Sequence, residues 1–301
     1  MLKNILPANI NQAIEHLNYA KLCEIRLRVG KPIIVDYGGQ YFLCESGITD
    51  NIGQAYICEK SMLENLLVRA CENSLYAYNE ELKQGYITIS GGMRIGLCGQ
   101  CVKDGEAIKT IKNISSVNIR IPHDVKNCSL KLLEFIAQPR VFNTLIISPP
   151  GAGKTTILRD FANQLSRLYA KNILIIDERN EIANCVNGIP QHEIGVFCDV
   201  ITNCSKQFGL QNGIRSIRPD VVFTDEVANL EDIEAIHYAL GCGVRLVATA
   251  HCGSIEELSR KKNFETIIKE GMFERYVVLS AEDGPGTIDG VYDAKFKCLY
   301  F

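Results

Sequence analysis

The sequence predicts an α/β fold in which a core with a parallel sheet follows a smaller amino-terminal α+β domain. From about residue 131 onward, short apolar runs alternate with helical segments, a pattern typical of parallel sheets covered by helices on both faces. Before that point strands and helices are mixed without this alternation. The runs expected to form strands of the parallel sheet are 144–147, 173–176, 221–223 and 244–248.

Three segments characterise the predicted first domain. Residues 24–35 alternate around a Gly-Lys-Pro turn and predict two strands, whereas residues 62–76 have helical spacing. Residues 85–99 form a stretch of β character that glycines interrupt. A proline and several polar residues at 119–129 then indicate a domain boundary. The predicted domains are residues 1–128 and 129–301.

The charge of the chain gives no indication of a nucleic-acid partner. The 301 residues carry a formal net charge of −3, and Lys and Arg are mixed with Asp and Glu rather than clustered. No apolar run approaches the roughly 18 residues of a membrane span. The start, MLKNILPANINQ, has polar residues and a proline where a secretory signal would stay apolar. We therefore expect a cytoplasmic protein that binds no nucleic acid.

The chain has thirteen cysteines, which are scattered through apolar segments and predict mostly reduced thiols in the core. Cys98 and Cys101 form the one pair with the spacing of a metal or redox site. A structural zinc would need a second pair, which the sequence does not offer nearby. The pair is therefore a metal or redox site or, in the reading we favour, two packing or turn cysteines.

Residues 145–156, LIISPPGAGKTT, have the pattern of a phosphate-binding loop between a strand and a helix. Pro149 and Pro150 carry no N–H, so the phosphate would be held by the five amides of residues 151–155. Ser148 stands where the usual motif begins with glycine. Because a residue before proline is extended, a conformation that serine adopts freely, we expect the loop to keep its function. The alternative is an ordinary glycine-rich turn.

The loop supplies the predicted nucleotide contacts. Lys154 is expected to reach the β and γ phosphates, and Thr155 is expected to bind Mg²⁺. The predicted nucleotide-binding residues are Gly151, Ala152, Gly153, Lys154, Thr155 and Thr156.

Acidic residues follow two of the predicted strands. Asp225 and Glu226 end one strand, where we assign Asp225 to Mg²⁺ and Glu226 to the orientation of the attacking water. An acidic pair that merely begins a helix is the alternative. Asp177 and Glu178 end another strand and are expected to contact metal or water, or else to form a surface ion pair with Arg179.

His251 and several arginines complete the candidate set. His251 ends a third strand and either senses the γ phosphate and bonds to the acidic residues or is an ordinary loop histidine. Phosphoryl transfer often uses an arginine from a neighbouring subunit, worth about 10³ to 10⁵ in rate. Arg94 and Arg120 are the candidates for this role. The equally weighted alternative for each is an ordinary surface arginine that only aids solubility. Two more arginines, Arg215 and Arg218, precede the Asp225 strand and are expected at the site or at an interface.

Long ordered segments resemble the stage III sporulation protein AA family, which is related to the type II and type IV secretion ATPases. The segments are SPPGAGKTT, IIDERNEIANCVNGIPQHEIGVFCDV, IRSIRPDVVFTDEVANLEDIEAI and GVRLVATAHCGSIEEL, preceded by EIRLRVGKPIIV, GYITISGGMRIGLCGQCV and SSVNIRI, so the resemblance covers nearly the whole chain. The resemblance implies the secretion ATPases' Walker A loop, Asp box, Walker B strand and His box. Their residues here are Lys154 and Thr155, Asp177 and Glu178, Asp225 and Glu226, and His251.

The resemblance implies a RecA-like ATPase that uses ATP and Mg²⁺ and assembles as a hexameric ring. It further implies a motor at the mother-cell side of a secretion-like channel to the forespore, held at the membrane by embedded channel proteins. Four residues depart from the pattern: Ser148, Arg218, and Phe197 and Cys198, which stand where Arg-Thr is expected. The alternatives are a RecA-like ATPase acting on single-stranded nucleic acid and a nucleotide-gated ring scaffold without turnover.

Overall fold

The computed structural model describes residues 2–71, 78–105, 107–123 and 125–300. The chain forms two compact units, Met1–His123 and Asp124–Phe301. Near the start of the second unit, the backbone N–H groups of Asn127 and Ser129 donate to the two carboxylate oxygens of buried Asp160, at 2.9 and 2.8 Å. These bonds hold residues on both sides of the predicted boundary within the second unit.

The first unit is an α+β domain built on an antiparallel sheet. Its strands are β1 (Glu24–Arg28), β2 (Ile34–Asp36), β3 (Gln40–Cys44), β4 (Gly47–Thr49), β5 (Tyr86–Ile89), β6 (Met93–Asp104) and β7 (Ala107–Arg120). Its helices are α1 (Leu2–Ile5), α2 (Ala8–Glu15), α3 (Lys60–Ala70) and α4 (Asn79–Gln84). Among the described residues the sheet has seven strands in the order β4-β3-β2-β1-β7-β6-β5.

Alternation of apolar and polar residues explains why these segments form strands with one buried face. In β1, Ile25 and Leu27 are fully buried, whereas the residues between them are partly exposed. The two strands predicted within 24–35 are present. The helix predicted over 62–76 corresponds to α3, which starts earlier; residues 72–76 of that prediction lie outside the described residues.

The second unit is an α/β core. Its strands are β8 (Thr144–Ser148), β9 (Ile173–Asp177), β10 (Cys198–Thr202), β11 (Val221–Thr224), β12 (Arg245–His251), β13 (Arg275–Ser280), β14 (Thr287–Asp293) and β15 (Cys298–Tyr300). Its helices are α5 (Leu130–Ile136), α6 (Lys154–Tyr169), α7 (Lys206–Ile217), α8 (Leu230–Gly241), α9 (Ile255–Arg260) and α10 (Glu265–Lys269). The strand order is β10-β9-β11-β12-β8-β13-β14-β15.

The first six strands in this order, from β10 at one edge to β13, are parallel to one another. The last two, β14 and β15, continue the sheet as antiparallel strands. The four predicted strands are present as β8, β9, β11 and β12, and every residue of the first three is buried. Continuous burial requires helices on both faces of a parallel sheet. The carboxyl ends of these strands therefore meet at one edge, where open α/β folds bind ligands.

Four of the thirteen cysteines are buried, namely Cys44, Cys58, Cys71 and Cys252. Four more, Cys128, Cys185, Cys198 and Cys204, are partly buried and pack against the core of the second unit. The prediction of mostly reduced core thiols is therefore confirmed for eight of the thirteen. Cys98 and Cys101 are both exposed on β6, so neither packs in a core as we had favoured. Apolar neighbours along the chain do not fix burial, because alternate residues of a strand face opposite sides.

In the described part of the chain, no helix combines the length and apolar character needed to span a bilayer.

Candidate functional site

The phosphate-binding loop lies between β8 and α6. Gly151 and Gly153 have φ values of +77° and +85°, in the region that side chains rarely adopt. The backbone N–H of Gly286, in the β13–β14 loop, donates to the Ala152 carbonyl at 2.9 Å. A Cβ atom on Gly153 would lie 2.8 Å from the Gly286 nitrogen. The loop therefore turns sharply into the amino end of a sixteen-residue helix, where free amides and the helix dipole attract anions.

Lys154 is the first residue of α6, and its side chain turns back under the loop. The ammonium donates to the Ser148 and Pro149 carbonyls at 3.3 and 3.1 Å and to the Ser148 hydroxyl at 3.1 Å. The residue is only 7% exposed. Burial lowers the pKa of Lys154 from its ordinary value, and the carboxylate of Glu226 acts in the opposite direction.

His251 connects the loop lysine to the acidic residues. Register pairs His251 of β12 with Ser148 of β8, which places the ring beside the loop. Its Nδ1 is 3.1 Å from Nζ of Lys154, and its Nε2 is 2.8 Å from Oε1 of Glu226. A neutral ring with its proton on Nε2 accepts from the lysine and donates to the carboxylate. His251 is therefore a member of the site.

Glu226 follows the end of β11 and has a strained backbone. Its φ is +32°, which a residue with a side chain adopts only at a cost of about 1 kcal/mol or more. The backbone N–H donates to the Thr249 hydroxyl at 3.0 Å, which helps to hold this conformation. The carboxylate also forms an ion pair with Arg179. Such strain is common at functional sites.

Asp225 lies beside Glu226 and is 4% exposed. The pKa of Asp225 is raised to about 7, mainly by burial; the ammonium of Lys206 opposes this shift, and the carboxylates of Asp177 and Glu226 add to it. Among the described residues, Oδ1 of Asp225 has no hydrogen-bond partner. A buried carboxylate oxygen without a donor is a suitable ligand for a divalent cation or its water.

No group of three or more His, Cys, Asp or Glu side chains able to hold a metal occurs among the residues that the structure describes. A cation at Asp225 would therefore need ligands from water and phosphate, as is usual for Mg²⁺ in nucleotide sites.

Asp177 has a structural role that its sequence context did not indicate. Its Oδ1 accepts the N–H of Glu181 at 2.7 Å, and its Oδ2 accepts those of Ile182 and Ala183 at 3.0 and 2.8 Å. Asp177 is fully buried. Both carboxylate oxygens thus accept backbone N–H groups of the loop after β9, whereas the expected role of Asp177 was contact with metal or water.

Glu178 pairs with a buried lysine that the sequence analysis missed. Nζ of Lys206 is 2.5 Å from Oε2 of Glu178 and 3.8 Å from Oδ1 of Asp232. Lys206 is 4% exposed. The available signal was its position directly after Ser205, which caps α7, because that places the lysine at the carboxyl edge of the sheet. Arg179, the predicted surface partner of Asp177 and Glu178, forms an ion pair with Glu226.

The two candidate arginines belong to the first unit. Arg94 of β6 and Arg120 of β7 are register partners, so both lie on the sheet face opposite the buried core. The Arg94 guanidinium lies 4.2 Å from the centroid of the Tyr86 ring. Arg120 has a side chain that is 70% exposed, with Nε 3.8 Å from Oε2 of Glu24.

Two further arginines lie away from the site. Arg215 is in the last turn of α7, and Arg218 caps this helix just before β11 begins. They therefore lie near the start of β11, at the opposite end of the strand from Asp225. Phe197, where an arginine was expected, is 45% exposed and donates its backbone N–H to the Ser166 hydroxyl at 2.9 Å.

The fold is shared with two proteins of known structure, described as a pilus retraction motor and as an ATPase. The pilus retraction motor PilT with bound ADP aligns with a TM-score of 0.58 and 17% identity, over 89% of this chain and 76% of that one. The ATPase DotB of Legionella pneumophila aligns with a TM-score of 0.56 and 17% identity, over 91% of this chain and 76% of that one. These likenesses show that the second unit is a RecA-like core with a smaller α+β domain before it.

Sequence comparison identifies the family. The model of the family described as "Sporulation stage III, protein AA" matches residues 1–299. Stage III sporulation protein AA of Bacillus subtilis (strain 168) is 36% identical over 97% of this chain and 94% of its own length. The chain therefore belongs to the stage III sporulation protein AA family.

Proposed function

We propose that this chain is a Mg²⁺-dependent ATPase that acts as a motor in endospore formation. The observation that carries the proposal is the connection from Lys154 through His251 to Glu226, beside a buried Asp225 with an unpartnered oxygen. A loop lysine, a cation ligand and a carboxylate for water are the components that phosphoryl transfer needs. The solved relatives are described as a pilus retraction motor and as an ATPase.

The loop binds the phosphates. The backbone amides of residues 151–155 face the anion, Lys154 leaves its internal acceptors to contact the β and γ phosphates, and Thr156 lines the helix start. Thr155 and Asp225 would hold Mg²⁺, which when bound would supply positive charge against the charge that develops on the phosphates.

Glu226 orients the attacking water. Its carboxylate lies at the carboxyl edge of the sheet, and the strained backbone at this residue fixes its direction. While Lys154 is retracted, His251 hydrogen-bonds to the carboxylate of Glu226. When Lys154 moves toward the phosphates, the imidazole becomes free to contact the γ phosphate. Glu178 acts through Lys206, which sets the charge beside Asp225.

Arginine from a second copy completes the site in this proposal. Arg94 and Arg120 are register partners on neighbouring strands of the first sheet, and the guanidinium of either could reach a neighbouring subunit's phosphates. A homo-oligomeric ring, hexameric by the family resemblance, would supply one such arginine to each site. The ring would lie in the cytoplasm. Membrane-embedded proteins of a sporulation channel would hold it at the membrane surface.

Light scattering and phosphate release on the same purified sample test the proposal. We expect ATP to shift the mass from a monomer toward a ring, and the specific rate of phosphate release to rise with protein concentration over the same range. A rate per chain that does not depend on assembly would contradict an arginine supplied in trans. No release at any concentration, with its membrane partner present, would favour a scaffold without turnover.

A further inference from the structure

We propose that Ser148 is a positioning residue that holds Lys154 in its retracted state and so weakens the binding of ATP. This inference rests on the proposed function, because it concerns the lysine that we assign to the β and γ phosphates. Ser148 is also the position at which the loop departs from the usual glycine. A glycine there has no side chain with which to contact the ammonium.

The geometry fixes the role of the Ser148 hydroxyl. Its oxygen lies 2.7 Å from the carbonyl of Pro149, to which it donates its only proton. The same oxygen lies 3.1 Å from Nζ of Lys154. Because its proton is used, the hydroxyl presents lone pairs to the lysine and acts as an acceptor. Ser148 is fully buried, so water does not compete for this contact.

The hydroxyl adds to a set of acceptors that compete with phosphate. Three other acceptors surround the ammonium: the carbonyls of Ser148 and Pro149, and Nδ1 of His251. A chain with glycine at 148 would keep all three and lose only the hydroxyl. The serine therefore stabilises the retracted lysine specifically, and a triphosphate must displace one more hydrogen bond to a charged group.

The consequence falls on binding more than on turnover. A contact that exists only before the nucleotide binds lowers affinity for all phosphate-bound states alike. Removing it should lower Kd and KM for ATP by about tenfold to a hundredfold, the range for a hydrogen bond to a charged group. Any change in kcat should be smaller than the change in KM.

Ser148→Ala and Ser148→Gly together test this inference. Both remove the hydroxyl, but only glycine adds backbone freedom, so equal gains in affinity identify the hydroxyl as the cause. The measurement is Kd for a fluorescent ATP analogue, with KM and kcat for ATP on the same samples. Thermal unfolding establishes that each variant is folded, as we expect because each replacement removes only a small buried group.

The outcomes separate this inference from the proposed function. If the wild-type protein binds ATP and both variants bind it no more tightly, the role of Ser148 is wrong and the ATPase proposal stands. Tighter binding by Ser148→Gly alone would assign the effect to the backbone and would also overturn the inference. If the wild-type protein binds no ATP, both proposals are wrong.

Discussion

Lys154 and Glu226 are joined through a single imidazole, since His251 lies 3.1 Å from the lysine on one side and 2.8 Å from the carboxylate on the other. The three side chains come from α6, β12 and the end of β11, which are distant in sequence. A movement of Lys154 toward a phosphate removes the donor at Nδ1 of His251. The ring and Glu226 are then free to rearrange, which couples nucleotide binding to the placement of the catalytic carboxylate.

Alanine at the two loop glycines should have unequal effects. Both have positive φ, so each replacement should cost about 1 kcal/mol in the free energy of unfolding. Only at Gly153 would the new Cβ lie 2.8 Å from the Gly286 nitrogen, whereas at Gly151 it meets nothing within 4 Å. We expect Gly153→Ala to be the more destabilising and to weaken ATP binding at least tenfold more than Gly151→Ala. Denaturant unfolding and nucleotide titration measure both effects; equal losses would count against the contact with Gly286.

Asp225 should make stability depend on pH. Burial raises its folded pKa from 3.8 to about 7, so between these values the folded state holds a proton that the unfolded state has released. The free energy of unfolding should therefore fall as pH rises from about 4 to about 7, by up to a few kcal/mol from this group. Asp225→Asn should remove that slope and be more stable than the wild type at pH 8. An unchanged slope in urea unfolding across this range would refute the assignment.

The same group should control metal affinity. Only the deprotonated carboxylate of Asp225 binds a cation well, and its pKa is about 7. The apparent affinity of the ATP-bound protein for Mg²⁺ should rise as pH increases through about 7 and then level off. Titration of phosphate release with Mg²⁺ at several pH values measures this. An affinity for Mg²⁺ that is independent of pH between 6 and 8 would contradict Asp225 as a ligand.

Mixed assemblies should reveal an arginine in trans. A Lys154→Ala subunit has no working loop but keeps its arginines, whereas an Arg120→Ala or Arg94→Ala subunit keeps its loop. If an arginine acts across the interface, mixing two inactive variants restores part of the phosphate release, because some interfaces then have every component. The control mixture combines Lys154→Ala with Glu226→Gln. Both residues act in the subunit that binds the nucleotide, so no interface in this mixture has every component and it should stay inactive. If phosphate release recovers in the control mixture but not in the arginine mixture, an arginine supplied by the neighbouring subunit is contradicted.

The elements that hold the site were predictable because their patterns are local. Leu145–Ile147 and Val221–Phe223 are short apolar runs, and each is followed directly by polar residues that face the carboxyl edge of a parallel sheet. Loop, helix start and acidic pair could therefore be placed from the order of residues alone. Four strands were not predicted. β10 and β15 lie at the two edges and carry mixed residues with weaker periodicity, and β14 beside β15 is only partly buried. β13 is internal, and its apolar run at 276–279 was a usable signal that the analysis did not take up.

The partners of individual side chains could not be predicted, because they depend on where loops return. Asp177 looked like a metal contact, but the following backbone folds over it and donates three N–H groups. Arg179 follows β9 and forms an ion pair with Glu226, which follows the neighbouring strand β11, a contact that the order of residues does not indicate. Lys206 gave little sign of burial because lysines at helix starts are usually exposed. Contacts of this kind follow from tertiary structure.

Phosphate release by Glu226→Gln tests the central claim most directly. We expect wild-type protein to hydrolyse ATP, Glu226→Gln to bind ATP with similar affinity but to lose at least about a hundredfold in kcat, and the exposed neighbour variant Glu231→Gln to behave as wild type. Lys154→Ala should lose affinity for ATP and should therefore release no phosphate in the same assay. If Glu226→Gln retains full turnover in protein that binds ATP, the carboxylate beside His251 does not orient the attacking water, and the proposed mechanism is wrong.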